Sequence, residues 1–205
     1  MAKISNKCRL CRRERQKLFL KGARCFSAKC PIEKNGGTPP GVHGSRSGFR
    51  QSAFAKQLRE KQKTKRLYSL SETQFKNYFT KAKKEKGIVG EVLLRFLEMR
   101  LDNCVYRLGL VPSRLSARQM ISHGYVLVNN KKVTIPSFMV GLGDQISLSE
   151  KALKMEKNKY ALAKKEKPPS WLERKGFLGR VVSLPERDQM PIEINESLIV
   201  EYYSR

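Results

Sequence analysis

The sequence predicts an α+β fold, and three features of its 205 residues support that prediction. The first 34 residues hold four cysteines in two close pairs, which is typical of a metal-bound segment. Residues 51–98 repeat apolar side chains at helical spacing, and residues 99–148 combine two short amphipathic helices with a β-hairpin pattern. The predicted parts are a Cys-rich metal-bound N-terminal segment with a linker over 1–50, a mainly helical first domain over 51–98 with 180–205, and a second domain over 99–179 with a helix-turn-helix and a small antiparallel β-sheet.

The chain is strongly basic, with a formal net charge of +25 from 43 Lys and Arg against 18 Asp and Glu. Its first 66 residues carry 19 Lys and Arg against three acidic residues. A charge of this size favours a polyanionic partner. No apolar run reaches the ~18 residues that a membrane span needs, and no signal-peptide core follows the first residue. We therefore expect a cytoplasmic protein that binds nucleic acid, with no membrane contact and no small-molecule substrate.

Four of the five cysteines, Cys8, Cys11, Cys25 and Cys30, have the spacing C-x2-C-x13-C-x4-C. Four thiolates in two pairs can surround Zn²⁺ tetrahedrally, and an iron–sulfur cluster is the alternative cofactor. Unliganded thiols or a disulfide are further alternatives, and a cytoplasmic chain disfavours the disulfide. We expect this segment to present its cations to phosphates, namely Arg9, Arg12, Arg13, Arg15, Lys17, Lys21, Arg24 and Lys29. Cys104 lies apart, on the apolar face of a later helix.

A series of helices follows a Gly-, Pro- and Ser-rich stretch at 35–50. The first, over 51–67, has few apolar positions, so we expect it to lie against something charged. Its candidate phosphate ligands are Arg59, Lys61, Lys63, Lys65 and Arg66. A capping box that begins at Ser71 opens a second helix, which we predict to end at Gly87. A third helix is predicted over 91–99.

Two amphipathic helices and a hairpin are predicted between residues 99 and 148. The first helix has a buried stripe with spacing i, i+3, i+4 and i+7, formed by Leu101, Cys104, Val105 and Leu108. Its polar stripe is formed by Arg100, Asn103 and Arg107. Ser113 caps the second helix and Gly124 ends it. Asn129 and Asn130 form the turn of the hairpin, and a short strand over 145–148 follows.

The basic edges of these helices and the hairpin suit a sugar–phosphate backbone. The predicted nucleic-acid-binding residues here are Arg100, Arg107, Ser113, Arg114, Arg118, His123, Lys131 and Lys132. Arg114 and Arg118 lie one turn apart, and the alternative is that they only solvate a helix surface. His123 is equally compatible with an interaction with the carbonyl groups at the helix end. Because only 8% of the residues are aromatic, we expect base stacking to be minor.

The last part of the chain is predicted to begin with a Lys-rich helix over 150–167, which ends at two prolines. Trp171 and Leu172 should anchor the chain on the preceding domain. The tail over 192–203 is too apolar for a free terminus. We therefore expect it to pack against the helices of residues 51–98.

The chain resembles a known small RNA-binding motif in four stretches: MRLDNCVYRLG, SRLSARQMISHGYVLVN, VTIPS and VGLGD. That motif occurs in several kinds of protein. Three further stretches, PPGVHG, LREKQKTKRLY and INESLIVEYYSR, resemble one family that contains the motif, the fourth protein of the bacterial small ribosomal subunit. The resemblance covers nearly the whole chain. The four-cysteine cluster occurs in only some members of that family.

This resemblance implies a structural constituent of the small ribosomal subunit rather than an enzyme. Such a protein binds small-subunit ribosomal RNA early in assembly, contacts the third and fifth small-subunit proteins, and contributes to decoding accuracy. It also lines the mRNA entrance, where Arg46 and Arg50 match arginines of the family. Asn130 replaces a glycine that is usual at the hairpin turn, and asparagine tolerates the left-handed backbone there.

Other functions compete with this one. An RNA-modifying enzyme or a ribosome-associated quality-control factor can carry the same motif, but the chain has only three Asp, two distant His and no GxxxxGK loop. A DNA-binding regulator is disfavoured because the cysteine spacing departs from the Cys₂His₂ finger. An assembly factor that only visits ribosomes is the remaining alternative.

Overall fold

The computed structural model describes residues 6–44, 51–155, 167–191 and 193–204, and its elements confirm the α+β class. The helices are α1 Lys7–Glu14, α2 Pro31–Asn35, α3 Ala53–Leu67, α4 Glu72–Ala82, α5 Val89–Glu98, α6 Leu101–Arg107, α7 Arg114–Ser122, α8 Glu150–Leu153 and α9 Glu196–Tyr203, with 3₁₀ turns at Gly22–Phe26 and Arg187–Gln189. The strands are β1 Val126–Val128, β2 Lys131–Val133, β3 Gln145–Leu148, β4 Leu172–Lys175 and β5 Leu178–Val181. None of the helices in these ranges is long and apolar enough to cross a membrane.

The helices α3 and α4 begin at capping serines. The Ser52 and Ser71 hydroxyls each accept a hydrogen bond from the backbone N–H three residues later. As a result α3 starts two residues after the predicted position. The helix α4 ends at Ala82 rather than at Gly87, because the residues after Ala82 are exposed and offer no apolar side to bury.

One hydrophobic core lies among α3, α4, α5 and α9. Its fully buried members include Phe75, Leu93, Leu94, Leu97 and Ile199. As expected from the apolar tail, α9 packs against α3 and α5, and the Tyr203 ring lies 4.5 Å from that of Phe79. Gly90 permits this approach, because a Cβ there would lie 2.7 Å from Glu196 Cγ.

The cysteine-rich segment contributes to the same core. Leu18 and Leu20 are 2% and 3% exposed and pack with the helical residues. The Glu14 side chain, 2% exposed, pairs with Arg59 and Arg66 of α3. Residues on both sides of the predicted boundary at residue 50 therefore share one core.

A second core lies between the α6–α7 pair and an antiparallel sheet. Within the described residues the sheet has the strand order β2-β1-β3-β5-β4. The predicted stripe on α6 is confirmed, since Leu101, Cys104, Val105 and Leu108 are 0% exposed. The hairpin of β4 and β5 was not predicted; β5 pairs with β3, and the fully buried Trp171 anchors the hairpin on this core. The predicted domain boundary at residue 179 lies inside β5.

The predicted hairpin turn is confirmed. Asn129 and Asn130 have φ angles of 49° and 62°, and a two-residue turn with two positive φ angles matches the twist of paired strands. The Asn129 side chain donates to Asp144 at 2.7 Å and accepts from the backbone N–H of Gln145 at 2.9 Å. These bonds tie the turn to β3.

Two predictions concern residues that are not described. Arg46 and Arg50 lie outside the described residues. Of the predicted Lys-rich helix over 150–167, only α8 is described, and residues 156–166 lie outside the described ranges.

Candidate nucleic-acid interface

A buried carboxylate, Glu98, gathers polar side chains where the two cores meet. It is 0% exposed and accepts hydrogen bonds from the Tyr68 hydroxyl at 2.5 Å, from Asn103 Nδ2 at 2.8 Å, and from Nε and Nη2 of Arg107 at 3.0 and 2.9 Å. Burial raises the pKa of Glu98, but the charges of Arg107 and Arg114 and the hydrogen bonds outweigh burial, so its pKa lies below the ordinary value. The folded protein therefore favours the ionised carboxylate.

Arg100 forms a second buried ion pair. Its guanidinium is 0% exposed and donates to both carboxylate oxygens of Asp102, at 3.0 and 2.7 Å, and to the Tyr78 hydroxyl at 2.8 Å. The prediction of a basic edge that faces phosphates needs correction here. Arg100 and Arg107 neutralise carboxylates inside the protein, because a buried charge is stable only with a partner.

The arginines of α7 also have partners within the protein. Arg114 is 7% exposed; its Nε donates to Asn103 Oδ1 at 2.7 Å, and its guanidinium lies 4.5 Å from the centre of the Tyr106 ring. The Arg118 side chain, 19% exposed, donates to the backbone oxygen of Ser69 at 2.7 Å. Both arginines connect α7 to the rest of the protein; Arg114 is buried there, whereas part of the Arg118 side chain stays at the surface.

Five of the six cations of α3 have charged partners within the chain, and the sixth, Lys56, is exposed. Lys61 and Lys65 pair with Glu72 at 2.5 and 2.7 Å, and Arg59 and Arg66 pair with Glu14. Lys63 pairs with Glu60 at 2.7 Å and donates to the backbone oxygen of Glu193 at 2.5 Å. The sequence predicted that this helix lies against something charged. The charged groups are glutamates, of which Glu14 and Glu72 lie outside α3, so much of its positive charge is used in the fold.

The cysteine-rich segment presents most of its cations to solvent. Of the eight cations predicted to face phosphates, the exposed ones are Arg9, Arg13, Arg15, Lys21, Arg24 and Lys29. Arg12 instead donates from Nε and Nη2 to the backbone oxygens of Thr38 and Pro39, at 2.8 and 3.2 Å, and Lys17 pairs with Glu33. Arg12 therefore holds the loop after α2, and the six exposed cations are the candidate phosphate ligands of this segment.

The hairpin end of the second domain carries further exposed cations. Lys131 and Lys132 are exposed, as is His123. The Lys132 side chain passes close to Gly124, where a Cβ would lie 1.9 Å from Lys132 Cε. Ser113 is 6% exposed and caps α7 as predicted, which makes it a helix cap rather than an exposed ligand.

Sequence reasoning missed a basic patch at the end of α4. Its exposed lysines are Lys76, Lys81, Lys83, Lys84 and Lys86. The run KAKKEKG indicates a cluster of cations as well as the end of a helix, and only the helix end was predicted from it. Lys76 and Lys81 lie on α4, whose opposite side is buried, and the other three lie in the exposed residues that follow it. All five join the candidate phosphate ligands.

The predicted metal-bound segment is not confirmed. Within the four described ranges, no group of three or more His, Cys, Asp or Glu side chains is arranged to hold a metal ion. The cysteines nevertheless lie near one another: burial raises the pKa of Cys11, and the Cys25, Cys8 and Cys30 thiols raise it further. The backbone N–H of Lys21 donates to Cys25 Sγ at 3.3 Å.

Comparison with known proteins gives the family. Residues 2–98 match the family described as ribosomal protein S4/S9 N-terminal domain, and residues 99–146 match the S4 domain. Over 202 residues, which are 97% of this chain and 96% of the relative, the chain is 51% identical to small ribosomal subunit protein uS4 of Thermodesulfovibrio yellowstonii. The chain belongs to the uS4 family. The uS4 proteins of Natranaerobius thermophilus and Thermus thermophilus are 48% and 46% identical to it, with the same coverage.

In this uS4 chain the two matched regions meet between Glu98 and Met99, at the buried carboxylate described above. The hydrogen bonds of Glu98 reach Tyr68 in the first region and Asn103 and Arg107 in the second. The buried polar groups therefore join the two parts of the uS4 chain and hold their basic surfaces in one arrangement.

Proposed function

We propose that this chain is a structural component of the small ribosomal subunit and binds small-subunit ribosomal RNA mainly through backbone phosphates. The observation that carries the proposal is near-full-length identity to proteins named small ribosomal subunit protein uS4. The uS4 family is a family of structural ribosomal proteins and not a class of enzymes, so we expect no catalysis. Its expected location is the cytoplasmic ribosome.

The cations of the protein divide into exposed and buried groups, and this division explains how RNA binding would work. Lysines and arginines at the cysteine-rich segment, at the end of α4 and at the hairpin are exposed, whereas the arginines of α6 and α7 serve the fold. Exposed cations that contact phosphates release counterions, so affinity falls steeply with salt. A rigid arrangement of three basic surfaces suits folded RNA, which proteins recognise largely by the shape of its backbone.

We further propose the finer role that the family resemblance implies. The chain would bind ribosomal RNA early in assembly, contact the third and fifth small-subunit proteins, and lie at the mRNA entrance with Arg46 and Arg50. Exposed apolar side chains near the β4–β5 hairpin support a protein partner. Phe177, Leu178 and Val182, at or next to the β4–β5 hairpin, are 51%, 52% and 57% exposed.

We also propose that Cys8, Cys11, Cys25 and Cys30 hold Zn²⁺, with an iron–sulfur cluster as the alternative. The donor set fits, because four cysteine sulfurs form a closed structural zinc site. The hydrogen bond from the Lys21 backbone N–H to Cys25 Sγ is of the kind that stabilises a thiolate. Bound zinc would supply a structural cross-link for the basic segment.

Sedimentation of ribosomal subunits tests the proposed function. A tagged copy of the chain should sediment with small subunits in about equal amount and remain with them through a high-salt wash, because a resident protein is enclosed by RNA. The proposal is contradicted if the chain sediments only with free protein. It is also contradicted if the wash removes the chain, as it would remove a factor that only visits ribosomes. Crosslinking of the same subunits tests the contacts with the third and fifth proteins.

A further inference from the structure

Two parallel aromatic rings lie at the exposed end of α7. His123, directly after the last residue of α7, is exposed, and Tyr125 is half-buried. Their ring centres lie 6.0 Å apart and their planes differ by 5°. Tyr125 packs against the second core, so its ring is fixed while the ring of His123 remains accessible. The stacked pair forms an aromatic platform at the surface, with the exposed His123 ring as its outer layer.

A cation flanks this platform. Gly124, between the two aromatic residues, has a φ of 71°, and the end of the Lys132 side chain lies directly beside it. Lys132 and its neighbour Lys131 are exposed at the end of the hairpin. Two flat rings beside an accessible ammonium group match the chemistry of a nucleotide, whose base has a π face and whose phosphate is negative.

From this juxtaposition we infer that the exposed His123 ring, backed by Tyr125, stacks on an unpaired nucleobase of the bound RNA, and that Lys132 contacts the phosphate of the same nucleotide. The inference rests on the proposed function and adds a base contact to recognition that otherwise uses the backbone. A base within a duplex has both faces covered by its neighbours, so the ligand is an unpaired nucleotide of a loop, bulge or junction. The expectation that base stacking is minor therefore has one exception at this site.

Binding of three variants to a transcript of the small-subunit RNA, measured over a range of KCl concentrations, tests the inference. His123→Ala should weaken binding by about 5- to 150-fold, the range for loss of one base–aromatic stack, and leave the salt slope unchanged. His123→Phe should restore binding to within about threefold, because a phenyl ring still stacks. Lys132→Ala should lower the slope of log affinity against log salt by about 1, because it removes a phosphate contact.

A fully paired RNA duplex is the matched control ligand. The difference between His123→Ala and the unchanged chain should disappear on that duplex, because it offers no unpaired base. The inference fails if His123→Ala binds the transcript normally. It also fails if His123→Phe binds as weakly as His123→Ala and both variants lower the salt slope, because His123 would then act as a cation. An unchanged chain that does not bind the transcript at all would instead overturn the proposed function.

Discussion

Replacing Glu98 with Gln should lower the free energy of unfolding by about 3–5 kcal/mol, the range for breaking a buried ion pair by removing one partner. The amide keeps nearly the same volume but leaves the Arg107 guanidinium without its counter-charge. It also disturbs the hydrogen bonds from Tyr68 and Asn103. Urea unfolding followed by circular dichroism measures the loss.

The ion pair of Glu173 and Lys175 provides the matched control. Its N–O distance is 3.1 Å, but the two side chains are 46% and 82% exposed. Glu173→Gln should change the free energy of unfolding by no more than about 1 kcal/mol, as for other exposed pairs. Equal losses for the two substitutions would mean that the buried groups do not hold the two parts together.

The pKa of Glu98 adds a pH dependence to this prediction. The folded-state pKa lies below the ordinary value of about 4.3 for glutamate, so the ionised group stabilises the protein above that pH. The stabilisation is lost as the pH falls through the lowered pKa of the folded state. The stability difference between the unchanged protein and Glu98→Gln should therefore be constant near neutral pH and shrink below about pH 4.

Cys25→Ser should abolish zinc binding, because three cysteines and a serine do not form a closed structural site. Metal ligation of a segment with a small core supplies part of its folding free energy, so residues 6–44 should also lose protection from hydrogen exchange. Metal analysis of the purified chain should fall from one zinc ion per chain to none. An iron–sulfur cluster would instead reveal itself by iron and labile sulfide in the unchanged protein.

Cys104→Ser is the control for the cysteine substitution. Cys104 is 0% exposed in the second core, with its Sγ 3.4 Å from the backbone oxygen of Glu98, so its removal should leave the zinc content at one per chain. Zinc that remains after Cys25→Ser, or that is lost equally in Cys104→Ser, would refute the four-cysteine site.

Local signals predicted much of the fold. The stripe on α6, the serine caps and the Asn129-Asn130 turn each depend on residues close together in the chain, and all of them are confirmed. The β4–β5 hairpin was missed because β4 has the sequence LERK, with three charged residues and little alternation. Its place in the sheet comes from pairing of β5 with β3 and from the buried Trp171, which a local pattern does not show.

The candidate site was harder to predict because charge alone does not tell which cations are exposed. The sequence placed Arg100 and Arg114 on a basic edge, but Arg100 meets the Tyr78 hydroxyl and the Arg114 guanidinium lies 5.1 Å from the Tyr68 ring centre. These partners are 22 and 46 residues away in the chain. Amphipathic spacing shows which side of a helix is buried. Whether a cation on that helix is exposed or paired depends on side chains far away in the sequence, which the spacing does not show.

The central claim is that exposed cations bind RNA while the buried arginines hold the protein in shape. The salt dependence of binding to small-subunit RNA separates these roles directly. The double substitution of Lys131 and Lys132 by Ala should reduce the slope of log affinity against log salt by about 2. Arg114→Ala should leave that slope unchanged and lower the free energy of unfolding by about 2 kcal/mol. A slope reduced by Arg114→Ala and unaffected by the double lysine substitution would contradict the account.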